Sequence, residues 1–332
     1  MFARPTGIYV LPTTNEGPGS SASAVALVSQ PFVDGWVLRL AWKDIEAPLG
    51  AYNWLRIDNA LAALGSAVPA KKLTLSIFAM EVPSDVLAQS GVMAYVAVTP
   101  TGLVTTAVPW DETALLRWEA FCLALSNHSV SDVSAGTTVA LHDHPLLAQL
   151  DTQIMGLGGL RDLNGNLVKT RGYTRAAFTS ATVRSIHAMV DNFPNKFHYF
   201  AFFNMTDNVA SPPLYQDMLD TLMTEFNAGA TPKLGLFQEN LGCSTPNTTT
   251  TSPSAWGLYT SRDRTFSMFQ MIHSWVVSPT TSEITGCTDK PGTAIGYAYN
   301  TFGTRYFEVY RTDLEYAGYA SDFTSWHNTL FP

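Results

Sequence analysis

Short apolar strands alternate with helix-length segments along almost the whole chain, and this rhythm restricts the fold more than any single motif. The segments between the strands carry apolar residues at helical spacing, as in 54–64 and 214–226. We predict eight strands, at 7–11, 36–42, 72–80, within 147–157, 197–205, 233–240, 265–271 and 304–310. Eight strand–helix repeats predict an α/β protein, a (β/α)8 TIM barrel with long βα loops. With no linker or internal repeat, we expect one domain over 1–332, with a long insertion around 81–146.

The composition of the chain limits the classes of molecule that it can bind. Hydrophobic residues make up 46% of its 332 residues and charged residues only 14%, so a sizeable core and a neutral, polar surface are expected. Such surfaces are common in extracellular and sugar-handling proteins. The net charge of −8 and the lack of any Lys/Arg run argue against nucleic acid and against anionic membrane surfaces. No apolar stretch is long enough to span a bilayer.

The cysteines and the first residues bear on the compartment. The start lacks the long apolar centre of a signal peptide, so the protein is either cytoplasmic or has had a leader removed. Cys243 and Cys287 lie in Thr/Ser/Pro-rich loops and would imply an oxidising compartment if they were bonded; two unrelated thiols are the alternative. Cys122 lies in an apolar helical pattern, which predicts a buried free thiol. We expect a secreted or extracellular protein.

One stretch resembles a known enzyme superfamily. Residues 38–54 run L-R-L-A-W-K-D-I-E-A-P-L-G-A-Y-N-W. They resemble the second barrel unit of glycoside hydrolases with β-galactosidase-like or cellulase-like barrels, where the pattern is roughly G-x-R-x-x-W, an acidic residue, Glu-Pro, Gly and Tyr-x-Trp. Here Ala47 intervenes between Glu46 and Pro48. The resemblance implies Glu46 to be a structural residue, and the barrel to be a sugar-cleaving one with two catalytic carboxylates.

The resemblance implies two catalytic positions, and this chain carries other residues at both of them. In that superfamily the acid/base stands at the end of strand four, commonly as Asn-Glu, and the nucleophilic Glu stands at the end of strand seven. Strand seven carries Gln270 where a Glu is wanted. We read strand four as ending in M-G-L-G-G-L-R-D, where Asp162 is the nearest carboxylate. The catalytic residues have therefore moved, activity has been lost, or the strand register differs from the one predicted.

The remaining candidates are acids at or near the C-terminal ends of strands, where barrel enzymes carry their catalytic groups. Glu239 ends strand six in a polar cluster. Glu308 lies inside strand eight; its alternatives are catalysis, a substrate hydrogen bond, or a buried ion pair with Arg39. Asp162 is the third catalytic candidate, with a turn aspartate as its alternative. Glycoside hydrolysis needs one protonated and one ionised carboxyl, and Glu239 with Glu308 is the leading pair.

Other polar and aromatic side chains at strand ends are expected to bind substrate. Aromatic faces stack on sugar C–H surfaces, and amides and hydroxyls bond sugar hydroxyls. The predicted substrate-binding residues are Arg39, Trp42, Glu81, Asn204, Gln238, Asn240, Gln270, Tyr306 and Tyr310. The H-D-H run at 142–144 has no further ligand at a useful spacing, and no phosphate-cradling glycine motif is present, so we predict neither metal nor cofactor.

The sequence therefore predicts a barrel that hydrolyses an O-glycosidic bond in an oligo- or polysaccharide. The alternatives are an inactive carbohydrate-binding barrel and a scaffold without a sugar site. Geometry separates these readings. Two carboxyls facing each other across an open cleft favour hydrolysis, whereas Glu308 sealed against Arg39 would remove the leading pair and favour binding.

Overall fold

Eight parallel strands close into a barrel in the computed structural model. The structure describes residues 2–12, 15–99, 102–161, 165–170, 172–209, 211–248, 253–277 and 290–332. The barrel strands, in chain order, are β1 (Gly7–Leu11), β2 (Gly35–Ala41), β3 (Lys72–Phe78), β8 (Leu147–Thr152), β9 (Phe197–Ala201), β10 (Leu234–Leu241), β11 (Ser267–Met271) and β12 (Tyr306–Tyr310). Each pairs with the next along this series and β12 pairs with β1, so the predicted TIM barrel is confirmed.

Helices connect the strands, and two hairpins lie between the third and fourth barrel strands. The α-helices among the described residues are α1 (Ala22–Val28), α2 (Trp42–Ile45), α3 (Leu55–Gly65), α4 (Ser84–Leu87), α5 (Glu112–Ser126), α6 (Arg175–Val190), α7 (Leu214–Phe226), α8 (Pro253–Ser261), α9 (Pro291–Phe302), α10 (Arg311–Glu315) and α11 (Ala320–Leu330). The hairpins pair β4 (Ala94–Thr99) with β5 (Gly102–Ala107), and β6 (Ser129–Asp132) with β7 (Thr137–Ala140). Helix α9 ends at a glycine, Gly303, whose φ is 68°.

The fourth barrel strand ends earlier than we predicted. β8 lies within the predicted range 147–157, but it stops at Thr152 and not in the M-G-L-G-G-L-R-D run; residues 153–161 form the segment that follows it. That segment begins with tight turns and holds Gly156 and Gly158 at positive φ. A continuous strand cannot include several left-handed glycines, and for this reason the predicted end of the fourth strand was wrong.

Apolar side chains fill both faces of the barrel wall. One buried cluster packs the helices against the outside of the strands, and a second fills the lumen. The lumen cluster contains Tyr9, Leu11, Val37, Tyr199, Ala201, Phe237, Phe266, Met268 and Tyr306. The large aromatic share means that the barrel is packed rather than open as a pore.

The segment after β8 passes close to the end of β9. The Leu160 amide donates to the Ala201 carbonyl at 2.8 Å. A Cβ added at Gly159 would lie 2.5 Å from the Ala201 Cβ and 2.7 Å from its oxygen. Only a glycine permits this approach, which brings residues 160 and 161 alongside the fifth barrel strand.

Replacement of Gly159 by alanine is expected to lower the free energy of unfolding by about 1–3 kcal/mol, because the methyl group overpacks against backbone. Urea denaturation measures the change. Gly17→Ala is the matched control, since a Cβ there meets no heavy atom within 4 Å. Equal losses in the two variants, or no loss in Gly159→Ala, would contradict the close approach.

Candidate active site

Strand register brings polar side chains from most of the strands into one layer of the lumen. Arg39, Ser76, Asp151 and Tyr199 are successive Cα partners across the second to fifth barrel strands. Gln270 and Glu308 are partners on the seventh and eighth. Partners in a sheet point to the same face, so this layer lies directly below the C-terminal ends of the barrel strands. We call those ends, with the loops that follow them, the barrel mouth.

Glu308 is fully buried and held by three donors. The Arg39 Nη2 lies 3.2 Å from its Oε2, and the hydroxyls of Tyr306 and Tyr199 donate to its Oε1 at 3.1 and 3.4 Å. Arg39 also donates to Gln270. The predicted Arg39–Glu308 ion pair is therefore present, with Glu308 sealed below the mouth. Burial raises the pKa of Glu308 to about 7, against the lowering effects of the Arg39 charge and the Tyr306 hydrogen bond.

Asp151 supplies a second buried carboxyl at the end of the fourth barrel strand. It is 7% exposed, and its Oδ2 accepts hydrogen bonds from the Ser76 hydroxyl at 2.7 Å and from Gln153. Its Oδ1 is buried and has no hydrogen-bond partner. Burial, with a smaller contribution from the charges of Glu308 and Glu239, raises the pKa of Asp151 to about 7. Asp151 is thus placed to carry a proton near neutral pH.

Glu239 is the carboxylate that reaches solvent. Its side chain is 35% exposed and its Oε2 lies 2.8 Å from the Arg161 Nη2. The Arg161 guanidinium in turn lies 3.9 Å from the centre of the Phe203 ring. The charge of Glu239 raises the pKa of Asp151, Glu308 and Arg39, so these groups share one electrostatic environment. Three carboxyls and two guanidinium groups therefore lie at the mouth or directly below it.

Several predicted substrate-binding residues lie around this cluster. Gln270 is 6% exposed and is hydrogen-bonded to Tyr310, which is half-buried at the strand end. Glu81 follows the third barrel strand and pairs with Lys43 at 2.7 Å. Asn204 follows the fifth barrel strand and is exposed. Tyr306 is fully buried in the lumen under Glu308, so its contact is with Glu308.

Two predicted positions need correction, and two stay open. Trp42 is fully buried against Trp118, 5.3 Å between ring centres, and its indole N–H donates to Glu46, so it belongs to the core and not to a cleft. Gln238 is also fully buried; strand alternation turns it away from the lumen, where Phe237 points, and its amide donates to the Phe202 carbonyl at 3.0 Å. The substrate role of Asn240, whose Oδ1 is buried without a partner, and the catalytic role of Asp162, which lies outside the described residues, stay predictions.

Glu46 has the structural role that we predicted. It is fully buried, accepts hydrogen bonds from Trp42 at 2.8 Å and the Gly50 amide at 2.8 Å, and pairs with Arg117. It therefore ties the loop after β2 to helix α5 instead of facing the mouth.

Sequence reasoning missed Asp151, Ser76, Tyr199, Arg161 and Gln153. A signal for Asp151 was available, because Gln149, Asp151 and Gln153 alternate with Leu150 and Thr152 and so share one face of a strand. The prediction placed the end of the fourth strand after residue 154, and so Asp151 was not a candidate. No local pattern marks Arg161, which reaches the site only because Gly159 lets its segment approach the fifth barrel strand.

The remaining sequence expectations concern cysteines, metals and membranes. Cys122 is a buried free thiol, as predicted, and Cys243 is disulfide-bonded, while Cys287 lies outside the described residues. Within the described ranges, no group of three or more His, Cys, Asp or Glu is arranged to hold a metal. His142 and His144 instead contact the carbonyls of Ser126 and Ser131. No helix in the part of the chain described is both long and apolar enough to cross a membrane.

Asp151 predicts a measurable pH dependence of stability. Its pKa is about 7 in the folded chain and roughly 3.9 in an unfolded one, so the folded state binds more protons between these values. The contribution of Asp151 to the free energy of unfolding should therefore fall as pH rises from about 4 to about 7, and level off above. Urea denaturation over this range should show a smaller fall for Asp151→Asn than for the unmodified chain. Parallel curves would contradict the assignment.

Comparisons with known proteins find similar solved structures but no matching family model or curated protein. Among solved structures, the chain resembles a β-galactosidase from the psychrophilic Marinomonas ef1, with a TM-score of 0.59 and 11% identity over 98% of this chain and 59% of that one. It also resembles a mutant of xylanase 10C from Cellvibrio japonicus in complex with xylopentaose, with a TM-score of 0.54 and 11% identity over 96% and 61%.

A third neighbour is a psychrophilic glycoside hydrolase family 10 endo-β-1,4-xylanase, with a TM-score of 0.51 and 10% identity over 92% of this chain and 85% of that one. At such identities the likeness establishes the barrel fold alone. The chain spans about 60% of the length of the first two neighbours.

Proposed function

We propose that this chain hydrolyses an O-glycosidic bond of an oligo- or polysaccharide at the barrel mouth, with Glu239 and Asp151 as its two working carboxyl groups. The observation that carries the proposal is the contrast between them. Asp151 is buried with a pKa of about 7, whereas Glu239 reaches solvent in an ion pair with Arg161. One protonated and one ionised carboxyl are what glycosidic cleavage needs.

The two groups would divide the reaction between them. Asp151 would donate its proton to the glycosidic oxygen as the bond to the anomeric carbon breaks. Glu239 would either attack that carbon or take a proton from the water that does. Both routes add one water across the bond, and the separation of the carboxyls decides between retention and inversion.

Glu308 takes a different part in this proposal from the one that the sequence predicted. Its oxygens are occupied by Arg39, Tyr306 and Tyr199, and it has no exposed surface. We assign the Arg39–Glu308 pair to the support of the mouth, where Arg39 also orients Gln270. The leading pair thus changes from Glu239 with Glu308 to Glu239 with Asp151.

A carbohydrate-binding barrel without catalysis is the second candidate. It is favoured by Gln270, an amide at the strand-seven position where the resembled superfamily carries its nucleophilic Glu. Amides bond sugar hydroxyls well but cannot attack an anomeric carbon. The sealing of Glu308 against Arg39 also favours this candidate.

A screen for cleavage and binding separates the two candidates. The full chain is incubated with a panel of oligosaccharides, products are read by mass spectrometry, and binding is measured by calorimetry. We expect cleavage of at least one sugar, with Asp151→Asn lowering kcat by about 10²–10⁴-fold while binding persists. Binding without cleavage would favour the second candidate, and neither binding nor cleavage would overturn both.

We also propose that the protein works outside the cytoplasm. Cys243 is disulfide-bonded, and disulfides persist in oxidising compartments. Extracellular polysaccharide would be the corresponding substrate. The redox state of Cys243 in protein recovered from its host, read by thiol alkylation and mass spectrometry, tests this placement; a reduced thiol would contradict it.

A further inference from the structure

Arg161 connects three neighbouring strands at the mouth. It lies in the segment that follows the fourth barrel strand. Its guanidinium stacks on Phe203, which follows the fifth strand, and it pairs with Glu239 on the sixth strand. The stacking distance is 3.9 Å to the ring centre, and the ion pair measures 2.8 Å from Nη2 to Oε2. The Arg161 side chain is 29% exposed and that of Glu239 is 35% exposed, so both lie at the edge of solvent.

Backbone contacts fix this arrangement below the side chains. Leu160 forms a parallel bridge with Phe202, and its amide donates to the Ala201 carbonyl at 2.8 Å. Arg161 and Phe203 are the next residues along the two bridged segments, so the parallel bridge places one beside the other. Phe203 packs against the lumen cluster, so its ring is held from beneath.

An ion pair this close to solvent would hold Glu239 only loosely by itself. Exposed pairs pay side-chain entropy and gain little Coulomb energy. The aromatic face changes this balance, because a planar guanidinium lying on a fixed ring keeps its N–H groups in a defined direction. A lysine ammonium has no such plane and would direct its donors less well.

We propose that Arg161 is a positioning residue that orients the Glu239 carboxylate, and that Phe203 is the surface that holds Arg161 in place. This inference rests on the proposed function for its catalytic meaning. Neither Arg161 nor Phe203 reacts with the sugar. Their role is to keep Glu239 within the narrow range of positions from which it can act, since small displacements of a reacting group cost large factors in rate.

Kinetics of four variants test the catalytic part. Arg161→Ala and Arg161→Lys are each expected to lower kcat at least about tenfold, with KM changed much less, because ground-state sugar contacts are kept. Phe203→Leu removes the ring without touching Glu239 and should show the same split, whereas Phe203→Trp keeps an aromatic face and should retain activity. Arg184→Ala, which breaks the ion pairs of Arg184 with Glu119 and Glu112 on distant helices, is the control.

A spectroscopic measurement tests the positioning itself without any turnover. Arginine side-chain 15N NMR should show slow rotation of the Arg161 guanidinium in the unmodified chain, with faster rotation in both Phe203→Leu and Glu239→Gln. Rotation that is fast in the unmodified chain, or unchanged in these variants, would overturn the positioning. An unmodified chain that cleaves no sugar would refute the proposed function, while the NMR result would still decide how Arg161 is held.

Discussion

Replacing Glu239 by glutamine is expected to lower kcat/KM for glycoside hydrolysis by about 10²–10⁴-fold while leaving sugar binding close to its original strength. Glutamine keeps the shape of glutamate and keeps a hydrogen-bonding group at the mouth. It removes the negative charge that would attack the anomeric carbon or activate water. The loss should therefore appear in kcat rather than in KM, and steady-state kinetics on a cleaved sugar measure it.

Glu119→Gln is a closely matched control for this variant. Glu119 pairs with Arg184 at 2.8 Å and its side chain is 34% exposed, against 2.8 Å and 35% for Glu239 with Arg161. It lies on helix α5, outside the mouth. The two substitutions thus remove the same kind of ion pair. An equal effect of both on kcat, or an active Glu239→Gln variant, would exclude Glu239 from the reaction.

Replacing Arg39 by methionine is expected to lower the free energy of unfolding by about 3–5 kcal/mol, the largest stability effect that we predict. Glu308 has no exposed surface, and the substitution leaves its charge with only the two tyrosine hydroxyls. Chemical denaturation of the folded variant at about pH 9 measures the loss, because Glu308, whose pKa is about 7 beside Arg39, is ionised there in the unmodified chain. This loss reflects the cost of leaving a buried charge without its partner, and it does not measure the net stability that the ion pair contributes.

A double variant separates these two causes. Arg39→Met combined with Glu308→Gln leaves no charge stranded, and should recover most of the stability lost by Arg39→Met alone. Breaking the exposed Arg184–Glu119 pair by Glu119→Gln should cost no more than about 1 kcal/mol. A double variant as unstable as the single one would show that Arg39 acts through packing instead.

The barrel itself was predictable because its signals are local. Each apolar strand and each helical spacing lies within about ten residues of sequence, and the stop of helix α9 at Gly303 needs only one glycine. The end of β8 was not predictable in the same way. Apolar residues continue past Thr152 through Leu160, and only the positive φ values at Gly156 and Gly158 show that the strand has ended.

The mouth was predictable only where the strand alternation was read correctly. Arg39 and Glu308 lie in strands with regular alternation. Because both point into the apolar lumen and carry opposite charges, their pairing could be predicted. Trp42 was misplaced, because helix α2 begins at that residue and turns it towards Trp118. Arg161 depends on a close approach between distant segments, which no sequence pattern in this chain encodes.

The most direct test of the central claim is a crystal structure of the Glu239→Gln variant with a bound oligosaccharide, and the carboxyl separation that it yields. We predict that Asp151 and residue 239 flank one glycosidic bond at the mouth. Their carboxyl and amide groups should lie roughly 5–5.5 Å apart for a retaining enzyme or roughly 6.5–9.5 Å apart for an inverting one. A sugar bound elsewhere, or bound at the mouth with Asp151 out of reach of any glycosidic oxygen, would contradict hydrolysis by this pair.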